Sequence, residues 1–496
     1  MFLGIDVGTQ SVKALLYDAH SRHVVDLHSA PLTLASTADG SREQLAQWWL
    51  TALEQCLKQF CARDKNAVKG IGVSGQQHGF VPLAADGQVL APVKLWCDTA
   101  TDVQCAEITE NFGGRDHCIA EVGNAILPGY TASKIRWLKQ HRPEDYARLA
   151  TILLPHDYIN FYLTGERVME CGDASGTGLL DIRRRQWHSG MLSAVDEDHD
   201  LSTKLPPLAK PGTVIGQLRA QVATQLGLPA GTPVATGGGD NMMAAIGTGS
   251  VSHSRLTISL GTSGTLFAST DQAVIDTDGA LAAFCSSSGG WLPLLCTMNC
   301  TVSTELTRRI LNVDLEQMEA RSAAIPPGSA GVMTLPFFNG ERYPNLPRGK
   351  GSILGLDEDN YSPDHLLRSA MESAVYGLRA GLDALARCGH TCETVRVTGG
   401  GAASGVWRQI VADCFDLPVT VQKVDEGAAL GAALQALWTY LQAQGDQTQL
   451  QALVDTHLAM DPQRCATPDP QAVSVYKDYY QKYLRHVDLV TPFYTD

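Results

Sequence analysis

The sequence predicts an α/β protein made of two similar halves. Short apolar strands are interspersed with long amphipathic helices, the pattern of a layered α/β fold. A strand, a Gly-Thr turn and a returning strand open the chain, and the same arrangement recurs 253 residues later, about half the chain length. The length of 496 residues agrees. At about 150 residues per domain it gives two to four domains, each large enough for its own core.

Taken in order, Phe2-Leu3-Gly4-Ile5 reads as a strand, Asp6 to Ser11 as a polar turn, and Val12 to Tyr17 as the returning strand. Gln44 to Phe60 carries Leu45, Trp48, Trp49, Ala52, Leu53, Cys56 and Leu57 at helical spacing. Gly70 to Val73 is a second strand, ending in Ser74-Gly75-Gln76-Gln77-His78-Gly79. Phe80 to Leu83 then approaches an Asp86-Gly87 hairpin turn. In the second half, Thr257 to Phe267 repeats the opening hairpin around Gly261-Thr262. Val395 and Val397 mark a strand before Thr398-Gly399-Gly400-Gly401, and Trp407, Ile410, Val411, Cys414 and Phe415 mark the helix after it. Beyond Tyr440 the chain is Gln-rich, helical in tendency and without a motif.

Composition narrows the function classes. Hydrophobic residues are 44% and charged residues 18%, which is ordinary globular composition. The net charge of −14 argues against nucleic acid and anionic membranes as partners, though not against a small anion held by local groups. No stretch reaches the roughly 20 apolar residues of a membrane span. Met1-Phe2-Leu3-Gly4-Ile5 runs straight into Asp6, so no signal peptide is expected. The 13 cysteines are scattered, with no Cys-x-x-Cys, as expected of reduced thiols in a cytoplasmic protein.

Several residues admit both a structural and a chemical reading. Asp6 suits a hairpin turn, which favours Asp and Gly. It equally suits a metal held through water, with Thr9 and Lys13 turned to phosphates. Asp240, after Gly237-Gly238-Gly239, is a helix N-cap on one reading and a general base on the other. His78 and Trp96 sit at strand ends that could face a cleft or the core. The glycine runs at 237–239 and 399–401 are tight strand-to-helix turns or places of close ligand approach. Neither fits the Walker spacing or Gly-x-Gly-x-x-Gly, so a dehydrogenase is the weakest option.

The order of the motifs is more specific than any one of them. Gly129-Tyr130-Thr131-Ala132-Ser133-Lys134 through His141, and Gly351 to Leu356 followed by His365 and Ser369-Ala370-Met371-Glu372, resemble the two signatures of the FGGY carbohydrate kinases. That family lies within the actin-like, Hsp70-like ATPase superfamily, and the likeness runs from Gly4 to about Leu437. Gly4-Ile5-Asp6-Val7-Gly8-Thr9, Gly75 to Gly79, Gly238-Gly239-Asp240-Asn241, Ser259 to Gly264, Asp173 to Thr177 and Gly340-Glu341-Arg342 are most similar to its bacterial xylulokinase branch. Gln77, Cys97 and the stretch after Asp98 depart from that branch's usual residues. Gln77-His78 stands where glycerol kinases carry Arg-Glu, which argues against glycerol.

The resemblance implies two RNase H-like domains around a cleft: residues 1–246 for the sugar and 247–496 for ATP. It implies ATP-dependent phosphorylation of D-xylulose, with Asp240 as base and Asp6 holding Mg²⁺ through water. Gln77, His78, Trp96, Asp240 and Asn241 would bind the sugar. Thr9, Lys13, Gly261, Thr262, Gly400, Gly401 and Ala402 would face ATP. The implied setting is the cytoplasm, with no nucleic-acid or membrane partner, and a homodimer is compatible with it. Sedoheptulose, ribulose or gluconate are rival substrates. A non-enzymatic actin- or Hsp70-like ATPase is the rival class, but it needs neither the Gly-Gly-Gly-Asp-Asn nor the Gln-Gln-His-Gly turn.

Overall fold

The computed structural model describes residues 1–424 and 426–495. In the first half the strands are β1 (Phe2–Val7), β2 (Ser11–Asp18), β3 (His23–Pro31), β4 (Ile71–Gly75), β5 (Val214–Gln217), β6 (Pro233–Ala235) and β7 (Gly238–Gly239). They form one seven-stranded sheet in the order β5-β6-β4-β1-β2-β3, with β7 also paired to β4. The strands β1, β2 and β3 are antiparallel neighbours, while β4 runs parallel to β1 and β6 parallel to β4.

In the second half, β8 (Arg255–Leu260), β9 (Gly264–Ala268), β10 (Leu294–Thr297), β11 (Thr394–Thr398) and β12 (Val419–Thr420) form a five-stranded sheet ordered β10-β9-β8-β11-β12. Its first three strands are again antiparallel, and β11 and β12 again continue in parallel. Strand order and direction therefore match between β3-β2-β1-β4-β6 and β10-β9-β8-β11-β12. The short Gly-Thr repeat in the sequence marks a duplicated topology. One detail differs from the expectation: Asp6 lies within β1, directly opposite Lys13 on β2, and the turn proper is Gly8 to Gln10.

Helix α1 (Ala46–Gln59) buries Trp49, Leu50, Leu53, Cys56 and Leu57 against the first sheet, the i, i+3, i+4 stripe its sequence carries. Two further helices, α2 (Thr131–His141) and α3 (Pro155–Thr164), belong to the segment inserted between β4 and β5. Pro155 starts α3, Asp157 accepts a hydrogen bond from the Leu154 N–H, and Gly165 ends it at φ 85°. Then comes α4 (Asp240–Thr248), closed by Gly249 at φ 82°. The second half adds α5 (Thr301–Leu311), α6 (Pro363–Arg387), α7 (Gly405–Phe415), α8 (Gly427–Ala443) and α9 (Pro470–Val490). Helices α6, α7 and α9 share one apolar core with β8, β9 and β11. Among the described residues, no helix is long and apolar enough to cross a membrane.

Helix α8 joins the halves. It follows the second sheet in sequence yet lies on β1 and β4 of the first sheet and antiparallel to α4. Ala429, Leu430, Ala433, Leu434 and Leu437 pack there with Met242 and Ile246 of α4 and Phe267 and Leu294 of the second sheet. The approach is backbone to backbone. A Cβ on Gly4 or Gly72 would overlap the carbonyl oxygens of Ala429 and Ala432, and one on Gly247 or Gly431 those of Gly427 and Met243. Replacing Gly72 or Gly431 by Ala is expected to lower unfolding free energy in urea by about 1–3 kcal/mol, the cost of overpacking. Gly400→Ala, where a Cβ meets nothing within 4 Å, is the contrast: its midpoint should stay put, and equal losses at all three would reject the close-packing account.

Candidate active site

A cavity of about 810 Å³ opens between the two halves. Asp6, Thr9, Gln77, His78, Trp96, Asp240, Asn241, Gly261 and Thr262 all line it. Lys13, Gly400, Gly401 and Ala402 stand outside that lining. The Lys13 ammonium lies 2.6 Å from Glu426 Oε2, at the head of α8.

The glycine run before Asp240 is explained by packing. Gly237 adopts φ 71°, and a Cβ there would overlap the Val73 carbonyl oxygen. The buried Gln435 side chain of α8 clamps it, accepting from the Gly237 N–H (2.8 Å) and donating to its carbonyl (3.1 Å). Asn160 of α3 donates to the Thr236 carbonyl at 2.8 Å. A Cβ on Gly239 would stand 2.7 Å from Gln77 Cγ. These glycines are therefore tight-turn glycines, and their product is a fixed place for Asp240. That residue is not the helix cap: Gly239 holds the cap position and no side chain caps α4.

Asp240 Oδ1 accepts from the Asn241 N–H (2.8 Å) and from Asn241 Nδ2 (2.9 Å). Its Oδ2 has no partner among the described residues. Burial, then the nearby carboxylates of Asp6 and Asp173, push its pKa up to about 7. Asp6 accepts from Ser74 Oγ at 2.7 Å, and burial raises its pKa as well. Asp6 and Asp240 thus share one cleft, each partly desolvated and neither neutralised by an ion pair among the described residues. A carboxylate poised near neutrality at the mouth of a cavity is suited to accept a proton from a bound hydroxyl.

His78 sits in the left-handed region at φ 64°. Two donors of α2 hold its carbonyl: Lys134 Nζ at 2.8 Å and Thr131 Oγ1 at 3.1 Å. Lys134 is fully buried and also donates to the Gly129 carbonyl at 2.7 Å. Burial drops its pKa to about 7. The His78 ring lies between Tyr130 (4.9 Å) and Phe284 (5.6 Å), and a Cβ on Gly176 would overlap it. Burial, helped by Lys134 and Arg342, holds the imidazole well below its usual pKa, so it is neutral. Its Nδ1 has no hydrogen-bond partner among the described residues. Beside it, Gln77 Oε1 accepts from Asn241 Nδ2 at 2.8 Å, linking the two turns.

The two Gly-Thr turns differ. Thr9 Oγ1 is committed: it accepts from Trp96 Nε1 (2.9 Å) and donates to Gln76 Oε1 (3.0 Å). Gln76 is tied in turn to Gln44, and Gln44 to Trp49. Thr262 is exposed, and its hydroxyl has no partner among the described residues. Its carbonyl and that of Gly261 instead accept from the N–H groups of Cys300 and Thr301, which seats α5 against the turn.

Sequence reasoning quoted Lys134 within a family signature without giving it a role, and missed the buried cluster of Asp157, His156 and Asp173. His156 lies 3.0 Å from Asp173 and 2.9 Å from Asp157. The available signal was Asp173-Ala174-Ser175-Gly176-Thr177, whose Gly176 makes room for His78.

Comparisons with known proteins agree with this geometry. Residues 1–247 match the N-terminal domain of the FGGY family of carbohydrate kinases, and residues 256–440 match its C-terminal domain. A xylulose kinase of Haemophilus influenzae is 41% identical over 98% of this chain and 99% of its own. One from Streptomyces rubiginosus is 37% identical over 88% and 87%. The solved structure of a "xyloylose kinase" from Brucella ovis superposes with a TM-score of 0.90 at 29% identity, covering 99% of each chain. Two duplicated sheets, a cleft between them and both family domains in order over nearly the whole length leave one assignment: the chain belongs to the FGGY family of carbohydrate kinases.

Proposed function

We propose that the protein transfers the terminal phosphoryl group of ATP to the terminal hydroxyl of D-xylulose. The observation that carries the reading is Asp240, a partly desolvated carboxylate with a free oxygen, fixed at the cavity wall between the two halves. The xylulose kinase relatives, aligned almost end to end, support the choice of sugar.

In this reading the sugar lies against Gln77, His78, Trp96 and Asn241. A neutral His78 forms part of the wall against the sugar, its Nδ1 turned to the Gly176 backbone, and Asn241 orients both Asp240 and Gln77. Asp240 takes the proton of the attacking hydroxyl while that oxygen's electron pair forms the new bond to the γ-phosphorus and ADP leaves with the old one. The unengaged Thr262 hydroxyl suits the phosphate side, whereas Thr9 serves to hold Trp96. Gly400, where a Cβ would meet nothing within 4 Å, leaves open backbone for the nucleoside part of ATP. The donor set fits Mg²⁺, because a hard oxygen-binding ion commonly takes one or two carboxylates plus phosphates and water. Asp6, partly desolvated and without a cationic hydrogen-bond partner, would hold it through water. When bound, the ion supplies neutralisation of phosphate charge. Closure of the cleft excludes water that would otherwise accept the phosphoryl group. The thirteen cysteines are all free thiols, which supports a reducing compartment such as the cytoplasm.

Asp240→Asn should fold and bind ATP but lose roughly 10²–10⁴-fold in kcat; near-normal turnover rejects the base assignment. The base works ionised, so kcat/KM should fall about tenfold per pH unit below about 7. That limb should vanish from the residual activity of Asp240→Asn, and a flat profile in the unaltered enzyme would contradict a base of raised pKa. A coupled ADP-release assay over D-xylulose, D-ribulose, sedoheptulose, D-gluconate and glycerol, with ATP and Mg²⁺, decides the sugar. D-xylulose is expected to give the highest kcat/KM, and a clear preference for another member replaces it as substrate.

A further inference from the structure

The cavity wall contains a cation that the mechanism above does not use. It is carried by Gly340-Glu341-Arg342, on a loop of the second half. Gly340 adopts φ 68°, and a Cβ there would overlap the Pro347 carbonyl oxygen, so the turn requires glycine. Glu341 is buried and anchors the loop. It accepts from the N–H groups of Met298 (2.7 Å) and Arg342 (2.9 Å), and from Asn299 Nδ2 (3.3 Å). The next side chain is thereby sent into the cleft.

Arg342 reaches across it to the first half. Its guanidinium lies over the Trp96 ring, 5.6 Å from the centroid, and Nη2 comes within 3.7 Å of where a Gly129 Cβ would stand. Among the described residues the guanidinium has no ion-pair or hydrogen-bond partner. The lysines nearby are committed: Lys13 to Glu426 (2.6 Å), Lys94 to Asp98 (3.0 Å) and Lys134 to two carbonyls. Of the residues lining the cavity, only Arg115 and Arg342 are cations that stay charged at neutral pH, against several carboxylates. A guanidinium stacked on an aromatic face keeps its edge N–H groups free to donate. Arg342 shares the cavity lining with His78, Trp96 and Tyr130.

We propose that Arg342 is a sugar-binding residue supplied across the cleft, its edge N–H groups donating to oxygens of the sugar away from the hydroxyl that reacts. The proposal rests on the sugar side assigned above. Trp96 belongs to the first half and Arg342 to the second, so the sugar makes both contacts only when the halves are apposed. Sugar binding then favours the closed cleft, by its differential affinity for that state.

The test uses Arg342→Ala and Arg342→Lys in the full chain, with the panel sugar of highest kcat/KM as the probe. Calorimetric sugar Kd without nucleotide, and sugar KM, should rise about 10–100-fold in Arg342→Ala, the span of a charge-assisted hydrogen bond. Arg342→Lys should fall in between, since it keeps the charge and loses the planar fork. ATP affinity and the thermal midpoint should stay at their unaltered values. An unchanged sugar Kd overturns the proposal, and a loss confined to kcat would place Arg342 on the phosphoryl group instead. Equal weakening of sugar and ATP would mean a merely structural role and also overturns it. The unaltered protein separates this from the substrate reading: turnover with a normal Arg342→Ala sugar Kd sinks Arg342 alone, whereas no turnover of any sugar sinks both.

Discussion

The contact on which the site depends is the backbone approach of α8 to α4 and to the first sheet. Gly4, Gly72, Gly247 and Gly431 let the helix lie closer than any side chain permits. From that position Gln435 reaches Gly237 with two hydrogen bonds, and three residues later the chain presents Asp240. The other end of α8 presents Glu426 to Lys13, which stands opposite Asp6 in the first hairpin. One helix from the second half thus locates Asp240 and organises the charges around Asp6. A shift of α8 by a methyl radius would reach the chemistry without touching a catalytic atom, and displacements of that order are costly when reacting atoms must be held near attack distance.

Electrostatics follow from the same packing. Burial alone raises a carboxylate and lowers an imidazole, and the cleft does both. Asp240 is held near neutrality while His78, beside Lys134 and Arg342, is kept uncharged. In the proposed reading, an uncharged imidazole stands beside the sugar without neutralising the base next to it. Lys134 contributes as a donor to two carbonyls, and that role holds the strained His78 backbone whatever the lysine's own protonation state.

What was legible in the sequence was local. The opening hairpin, its repeat around Gly261-Thr262, α1 and α7 all carry their own periodicity or turn residues. Helix α8 was not legible, because Gly427–Ala443 is apolar nearly all round and carries no amphipathic stripe. Its place on the first sheet and α4 is set by contacts that no window of sequence contains. The glycines before Asp240 were ambiguous for a related reason. Their partners are Val73, Ser287 and Gln77, separated from them by many residues. The same distance hid Lys134 under His78 and Asp173 against His156. A buried charge is recognisable only with its partner, and the partner lay elsewhere in the chain.

On the proposed reading, the two halves divide one reaction across a duplicated fold. Both keep the strand, Gly-Thr turn, strand unit, and both threonines line the cleft. In the first half the hydroxyl is consumed by Trp96 and Gln76, and through them by Gln44 and Trp49. That chain makes Thr9 part of a rigid wall with an aromatic face. In the second half Thr262 has no such chain, and its turn is braced from behind by the start of α5. A wall with a fixed aromatic suits a small polyol whose hydroxyls must be placed. A braced turn with a free hydroxyl and exposed backbone suits phosphate. In the proposed reading, the division of labour follows from which side chains surround each threonine.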